Sequence, residues 1–256
     1  MGFRASGSAH AACQTASMAP RLPSLRRPPI GFAHRGARAI APENTLDAFR
    51  LAVRLGATGL ESDAWRTADG EIVLDHDGLV RRGMRRVLIA TLTRAELPVH
   101  IPTLEELYAE VGTDLELSLD VKDPDAFEGV VAVARAAGGH ALERLWLCHH
   151  DWRLVASWRS RCEGARLVDS TFLGHMPEGP EQRAAALANA GIDALNLHHT
   201  EWTGGLAALV HRFGVHCFGW DAQHDRILDE LLDAGLDAVY SDHVDRMVAA
   251  LARAAT

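Results

Sequence analysis

From Ile30 onward the chain alternates short apolar, β-branched runs with amphipathic stretches of helical period, and it does so eight times. The runs are IGFAHRG (30 to 36), TGLESDAW (58 to 65), LELSLDVK (115 to 122), RLWLCHH (144 to 150), ARLVDS (165 to 170), DALNLHH (193 to 199), VHCFGW (215 to 220) and DAVYSD (237 to 242). Between them lie helical patterns such as ENTLDAFRLAVRLGA, AFEGVVAVARAAG, EQRAAALANAG and RILDELLDAG, several closed by a glycine suited to a C-cap. Strand-helix repetition of this kind builds a parallel sheet. Eight parallel strands close a ring, and 256 residues is the usual size of a (β/α)8 TIM barrel. An open doubly wound sheet is the alternative, but no glycine-rich dinucleotide or phosphate loop follows the first strand.

One apolar run is left over, EIVLDHD (71 to 77), joined to the second strand by TADG. An Asp-Gly pair between alternating segments signals a hairpin. A two-residue turn at Asp69 and Gly70 sets Asp63 opposite His76, to within one position. The predicted fold is therefore a barrel with a β-hairpin extension after its second strand. The domain spans 29–256, and residues 1–28 are expected to form a flexible tail in which Met18 is a second candidate start.

Bulk properties narrow the function classes. The net charge of -8, from 34 acids and 26 bases, gives no excess of cations for displacing counterions from nucleic acid. No apolar run is long enough to span a bilayer. The first residues lack the continuous apolar core of a secretory signal. Cys13, Cys148, Cys162 and Cys217 are widely spaced, which fits neither a zinc ribbon nor a disulfide framework and suits a reducing cytoplasm. No heptad pattern marks an oligomer interface, so the oligomeric state is left open.

The chemistry gathers at strand ends, where a barrel of this class places its site. LESDAWRTADGEIVLDHD (60 to 77) holds six carboxylates. Glu61 and Asp63, two apart on a strand, share a face. Crowded carboxylates resist joint ionisation, and hard oxygen ligands favour one divalent cation of the Mg2+ or Ca2+ type. The first strand ends in His34, Arg35 and Gly36, which offer a proton-transfer group, a planar fork for phosphate oxygens and a tight turn. The third ends in Asp120 and Lys122, a further carboxylate and a cation for an anionic substrate.

HRGARAIAPENT, then E-x-D, then T-x-D-G running into HD, then IPTLEE and D-x-K, in that order, resemble the glycerophosphodiester phosphodiesterases, a (β/α)8 barrel family. Weaker likeness continues in FGWDAQ (218 to 223) and GLDAVYSD (235 to 242). The resemblance implies that Glu61, Asp63 and Asp120 bind the cation, that His34 and His76 are the acid and base, and that Arg35 and Lys122 hold the phosphate. Glu43 in PENT is a candidate contact to substrate or metal, and Trp220 a candidate aromatic wall. The implied reaction is hydrolysis of a small glycerophosphodiester to sn-glycerol 3-phosphate and an alcohol. Cleavage of lysophospholipids, and a barrel that has lost catalysis and serves as a binding protein, are the rival readings.

The chain departs from that family in three places. Asp120 stands where most members carry glutamate, one methylene longer. The usual W-T-V-N run appears as Trp220, Asp221, Ala222 and Gln223. The cap insertion is short, Gly78 to His100, with RRGMRR near its start, which predicts a more open entrance.

Overall fold

The computed structural model describes residues 21–255. Its strands are β1 (Ile30–Ala33), β2 (Gly59–Arg66), β3 (Ile72–Leu74), β4 (Leu79–Arg82), β5 (Arg85–Leu88), β6 (Glu116–Val121), β7 (Leu145–His149), β8 (Arg166–Ser170), β9 (Ala194–His198), β10 (His216–Trp220) and β11 (Ala238–Ser241). The helices are α1 (Leu46–Arg54), α2 (Leu104–Val111), α3 (Phe127–Ala137), α4 (Trp152–Trp158), α5 (Pro180–Asn189), α6 (Gly204–His211), α7 (Asp225–Asp233) and α8 (Val244–Ala254). β1, β2 and β6 to β11 pair in parallel, and the pairings β1–β2 and β1–β11 close the ring. All eight predicted barrel strands are present, each within a few residues of its expected bounds.

Strand parity divides the core into two layers. Residues at even positions, Ile30, Phe32, Trp146, Cys148, Val168, Ala194, Phe218, Ala238 and Tyr240, form one buried cluster inside the ring. Their odd-numbered neighbours, among them Leu145, Leu147, Leu167, Cys217 and Val239, join the helices in a second, larger cluster. A pleated strand sends alternate side chains to opposite faces, so a ring covered by helices needs both faces apolar. Inside, Phe32 stacks on Tyr240 with centroids 4.7 Å apart, and Trp146 meets Phe218 edge-on at 4.8 Å. Each such ring contributes roughly 1.5–3 kcal/mol through burial.

On β2 the parity reverses sign, since its inward residues Glu61 and Asp63 lie at odd positions opposite Ser118 and Asp120 of β6. The inner face therefore turns from apolar at mid-barrel to acidic at the carboxyl end.

The hairpin forms, with one difference from expectation. Its loop has three residues, with Thr67 paired to Glu71 and Gly70 at φ +96°. The Glu71 amide donates to the Thr67 hydroxyl at 2.9 Å, which accommodates the added residue. β2 and β3 pair Ala64 with Leu74, so Asp75, with its amide 3.1 Å from the Asp63 carbonyl, takes the place opposite Asp63. The short cap after it is a second hairpin, β4–β5, turning at Gly83 and Met84. Val73, Val80, Ile89, Leu92, Leu97 and Ile101 give the cap a small core of its own.

The expected flexible tail is corrected from Arg21 onward. The Leu22 amide bonds to the Asp233 carbonyl at 2.9 Å, the Arg26 amide to Asp237 at 2.7 Å, and the Arg26 guanidinium to Glu116 at 2.6 Å. Buried acids at the amino ends of β6 and β11 need these donors, and that need fixes the segment against the barrel floor. The remainder of the tail, with Cys13 and Met18, lies outside the described residues. No helix among the described residues is long and apolar enough to cross a membrane.

Candidate active site

The loop after β1 has to turn sharply and deliver three groups to the barrel mouth. Gly36, at φ +81°, makes the turn, and a Cβ there would stand 2.7 Å from the Ala48 backbone. Arg35 precedes it at φ +53°, an uncommon conformation for a residue with a side chain. That conformation points the Arg35 amide at Glu61 Oε2, 2.9 Å away. Asn44, also at φ +53°, ties the loop's far end down: its amide donates to the Arg35 carbonyl at 3.0 Å and its Oδ1 accepts from the Ser62 hydroxyl at 2.7 Å. Thr45 then caps α1 by accepting from the Ala48 amide.

Above this frame opens a cavity of about 510 Å3. His34, Arg35, Glu61, Asp63, His76, Asp120, Lys122 and Trp220 all line it, so eight of the nine candidates come together. Glu43 is the exception. It lies outside the lining, where Arg35 (3.2 Å) and Arg38 hold its carboxylate, and it braces those two guanidinium groups from behind.

The two histidines reach the cavity differently. His34 Nδ1 lies 2.6 Å from Asp242 Oδ1, which leaves Nε2 facing Glu61 at 3.8 Å. Burial works against the charged imidazolium of His34, but Glu61 and Asp242 outweigh it and raise the pKa. His76 comes from the segment that leaves β3, and its Nδ1 lies 2.8 Å from Asp77.

Among the acids, Asp63 and Asp120 are register partners on neighbouring strands. The Lys122 ammonium is in contact with both, bonded to Asp120 and 3.3 Å from Asp63 Oδ1. Asp63 Oδ2 is buried without a hydrogen bond, with Arg35 Nε 3.6 Å away. Burial pushes the Glu61 carboxyl up to about 7 against the opposing pull of His34. Burial likewise raises Asp63, opposed by Lys122. The charged forms of these acids are thus under-compensated by the protein's own groups.

Several further residues line the cavity: Arg38, Ser118, Ser170, Asn196, Asp221 and Tyr240. Strand parity carried the signal for Ser118, Ser170, Asn196 and Tyr240, since each lies two residues from another inward position. Asp242, the partner of His34, closes the last strand run 208 residues away, and nothing local shows that the two meet.

Comparison with known proteins gives a consistent picture. The model of the glycerophosphoryl diester phosphodiesterase family matches residues 34–246. A glycerophosphodiester phosphodiesterase of Caldanaerobacter subterraneus subsp. tengcongensis is 50% identical, over 85% of this chain and 95% of its own. The crystal structure of a glycerophosphodiester phosphodiesterase from Thermotoga maritima superposes with a TM-score of 0.73 at 23% identity, covering 86% of this chain and 97% of that one. A phosphodiesterase from Oleispira antarctica, solved in complex with the product sn-glycerol-3-phosphate, gives a TM-score of 0.72 at 22% identity, covering 88% and 97%. The expected (β/α)8 barrel is present, and the chain is an enzyme belonging to the glycerophosphoryl diester phosphodiesterase family.

Proposed function

We propose that the chain hydrolyses glycerophosphodiesters to sn-glycerol 3-phosphate and an alcohol, with His34 and His76 as the acid/base pair and with a divalent cation bound at the mouth. The observation that carries this reading is the pairing, in one cavity, of two imidazoles with three carboxylates, one of which, Asp63, keeps a buried oxygen without a hydrogen bond. The orphaned Asp63 Oδ2 and the raised Glu61 fit a divalent cation, because a bound ion would supply the compensation that burial removes. Glu61, Asp63 and Asp120 would hold it, and their all-oxygen donor set suits Mg2+ or Ca2+. Bound there, it supplies Lewis-acid masking of phosphate charge.

The chain's own residues account for the remaining chemistry. A phosphodiester is anionic and repels a nucleophile, so Arg35 and Lys122 clamp its oxygens where charge gathers in the transition state. One imidazole takes the proton of the nucleophile, either water or the adjacent glycerol hydroxyl through a cyclic phosphate that water then opens, and the other gives a proton to the departing alkoxide. Asp242 holds the His34 ring so that Nε2 faces the cavity, and Asp77 plays the matching part for His76. The cytoplasmic setting expected from the cysteines belongs to this proposal.

A coupled assay for glycerol 3-phosphate released from glycerophosphocholine, run with and without EDTA, tests it. Release that EDTA abolishes and Mg2+ or Ca2+ restores is the expected result. No release under any metal condition, from a folded protein, contradicts it and favours the binding-protein alternative.

One feature supports the second reading, cleavage of lysophospholipids. The β4–β5 hairpin, which begins three residues beyond His76, carries Arg81, Arg82, Arg85 and Arg86 around Met84, which is 100% exposed. A basic hairpin with an apolar tip suits an anionic lipid surface. Faster cleavage of lysophosphatidylcholine than of glycerophosphocholine would favour it.

A further inference from the structure

Across the barrel from the acids lies a second group of potential ligands. In the ring order β1-β2-β6-β7-β8-β9-β10-β11, β9 and β10 stand opposite β2 and β6. β9 ends at His198, with His199 next in the chain, and β10 pairs Trp220 with His198 and is followed by Asp221. His198 Nε2 is 3.2 Å from Asp221 Oδ2, and the two imidazole rings lie 4.4 Å apart. One ligand atom from each of His198, His199 and Asp221 falls within 4.8 Å of the other two.

The supporting contacts orient these groups. His198 Nδ1 is 2.7 Å from the Thr200 hydroxyl and accepts from the Thr200 amide at 3.4 Å, which fixes the ring with Nε2 in contact with Asp221. The Gln223 amide donates to Asp221 Oδ1 at 3.1 Å and leaves Oδ2 on the histidine side. A ring fixed through one nitrogen by an outer hydrogen bond and presenting the other is the arrangement of metal-binding histidines. Neither histidine is fully buried and Asp221 is exposed, so coordination positions remain open to solvent and to the cavity that Asp221 also lines.

We propose that His198, His199 and Asp221 form a second metal site at the barrel mouth, for a borderline divalent cation such as zinc, separate from Glu61, Asp63 and Asp120. Two imidazoles and one carboxylate with an open position are a zinc-type donor set, whereas three carboxylates suit a hard ion. The acidic wall of the cavity and the histidine pair beside it, which reaches the cavity through Asp221, therefore select different metals. Asp221 and Gln223 fall in the stretch that departs from the W-T-V-N run, so the site belongs to this chain's own variation. The proposal goes beyond the hydrolytic reading and does not depend on it.

Zinc titrated calorimetrically into the full chain saturated with Mg2+ tests the proposal without reference to activity, and cobalt in place of zinc gives a visible spectrum sensitive to histidine ligation. The wild type should take up a single equivalent. His198→Ala and Asp221→Asn should each weaken it more than about 10-fold, and Thr200→Val by about 10-fold through loss of ring orientation. Asp221→Asn keeps a residue that tolerates the +63° backbone, so it remains informative if His198→Ala fails to fold. Glu61→Gln should leave zinc affinity unchanged. Absence of zinc uptake by the Mg2+-loaded wild type, uptake unaffected by both His198→Ala and Asp221→Asn, or uptake lost in Glu61→Gln would each overturn the proposal.

Discussion

Buried carboxylates stand at both ends of the barrel, and the two ends treat them in opposite ways. At the floor, Asp237 accepts from His211 Nε2, the Cys217 amide and the Arg26 amide at 2.7–2.8 Å. Glu116 accepts from the Trp146 indole at 2.7 Å and from Arg26 at 2.6 Å. At the mouth, Asp63 is 2% exposed and leaves Oδ2 without a hydrogen bond. Burial acts against charge at both ends. At the floor the bonds from His211 and Cys217, with His216 Nδ1 3.6 Å away, overcome it and hold Asp237 well below the usual carboxylate range. At the mouth burial prevails and Glu61 rises to about 7. A satisfied buried acid anchors structure, while an unsatisfied one stores electrostatic cost for a ligand to relieve.

The widest separation of the two ends should come from Asp237→Ala. It strands the Cys217 and Arg26 amides, and a folding loss of about 3 kcal/mol or more is expected. Denaturant unfolding measures it, and turnover per folded molecule should stay near wild type. At the mouth the pattern should invert. His34→Ala or His76→Ala should lower turnover about 100-fold or more while leaving the unfolding midpoint in place. Full activity in either variant would remove the proposed acid/base roles.

A smaller effect separates the ends by sign of pH dependence. Asp237 has a depressed folded pKa, so its contribution is present above its unfolded value of 3.8 and is lost as pH falls through the folded value. Glu61 has a raised one, so the metal-free protein should lose stability as pH rises from 4.5 toward about 7. In EDTA, Glu61→Gln should therefore be more stable than wild type at alkaline pH, with the advantage vanishing in acid. Thermal unfolding across pH reads both slopes, and parallel slopes would erase the contrast. The smallest change is expected from Asp120→Glu, which lengthens a ligand by one methylene and should keep or improve Mg2+ affinity by titration. A severe loss would count against the placement of Asp120 beside Asp63.

What the sequence revealed and what it concealed follows the same physical division. Strands alternate with a fixed period, so the eight staves and the inward sharing of Glu61 with Asp63 could be read from spacing. The hairpin slipped by one residue because an Asp-Gly pair fits both two- and three-residue loops, and the Thr67 hydroxyl decides between them through a bond that spacing does not show. Glu43 carries a ligand's chemistry, but two arginines claim it. Lys122 was expected at the phosphate, and its contact with both Asp63 and Asp120 depends on β2–β6 register. Arg21 to Arg27 reads as polar tail because the acids that fix it, Glu116 and Asp237, lie far along the chain. Local periodicity is legible; partners brought together by ring closure are not.

On the proposed reading the mouth carboxylates are under-compensated because a cation completes them. Calorimetric titration of Mg2+ into EDTA-stripped wild type and Glu61→Gln tests that claim directly. The wild type should bind a single ion that raises its thermal midpoint, and the variant should lose both the binding and the rise. Equal binding by the two proteins would contradict the account.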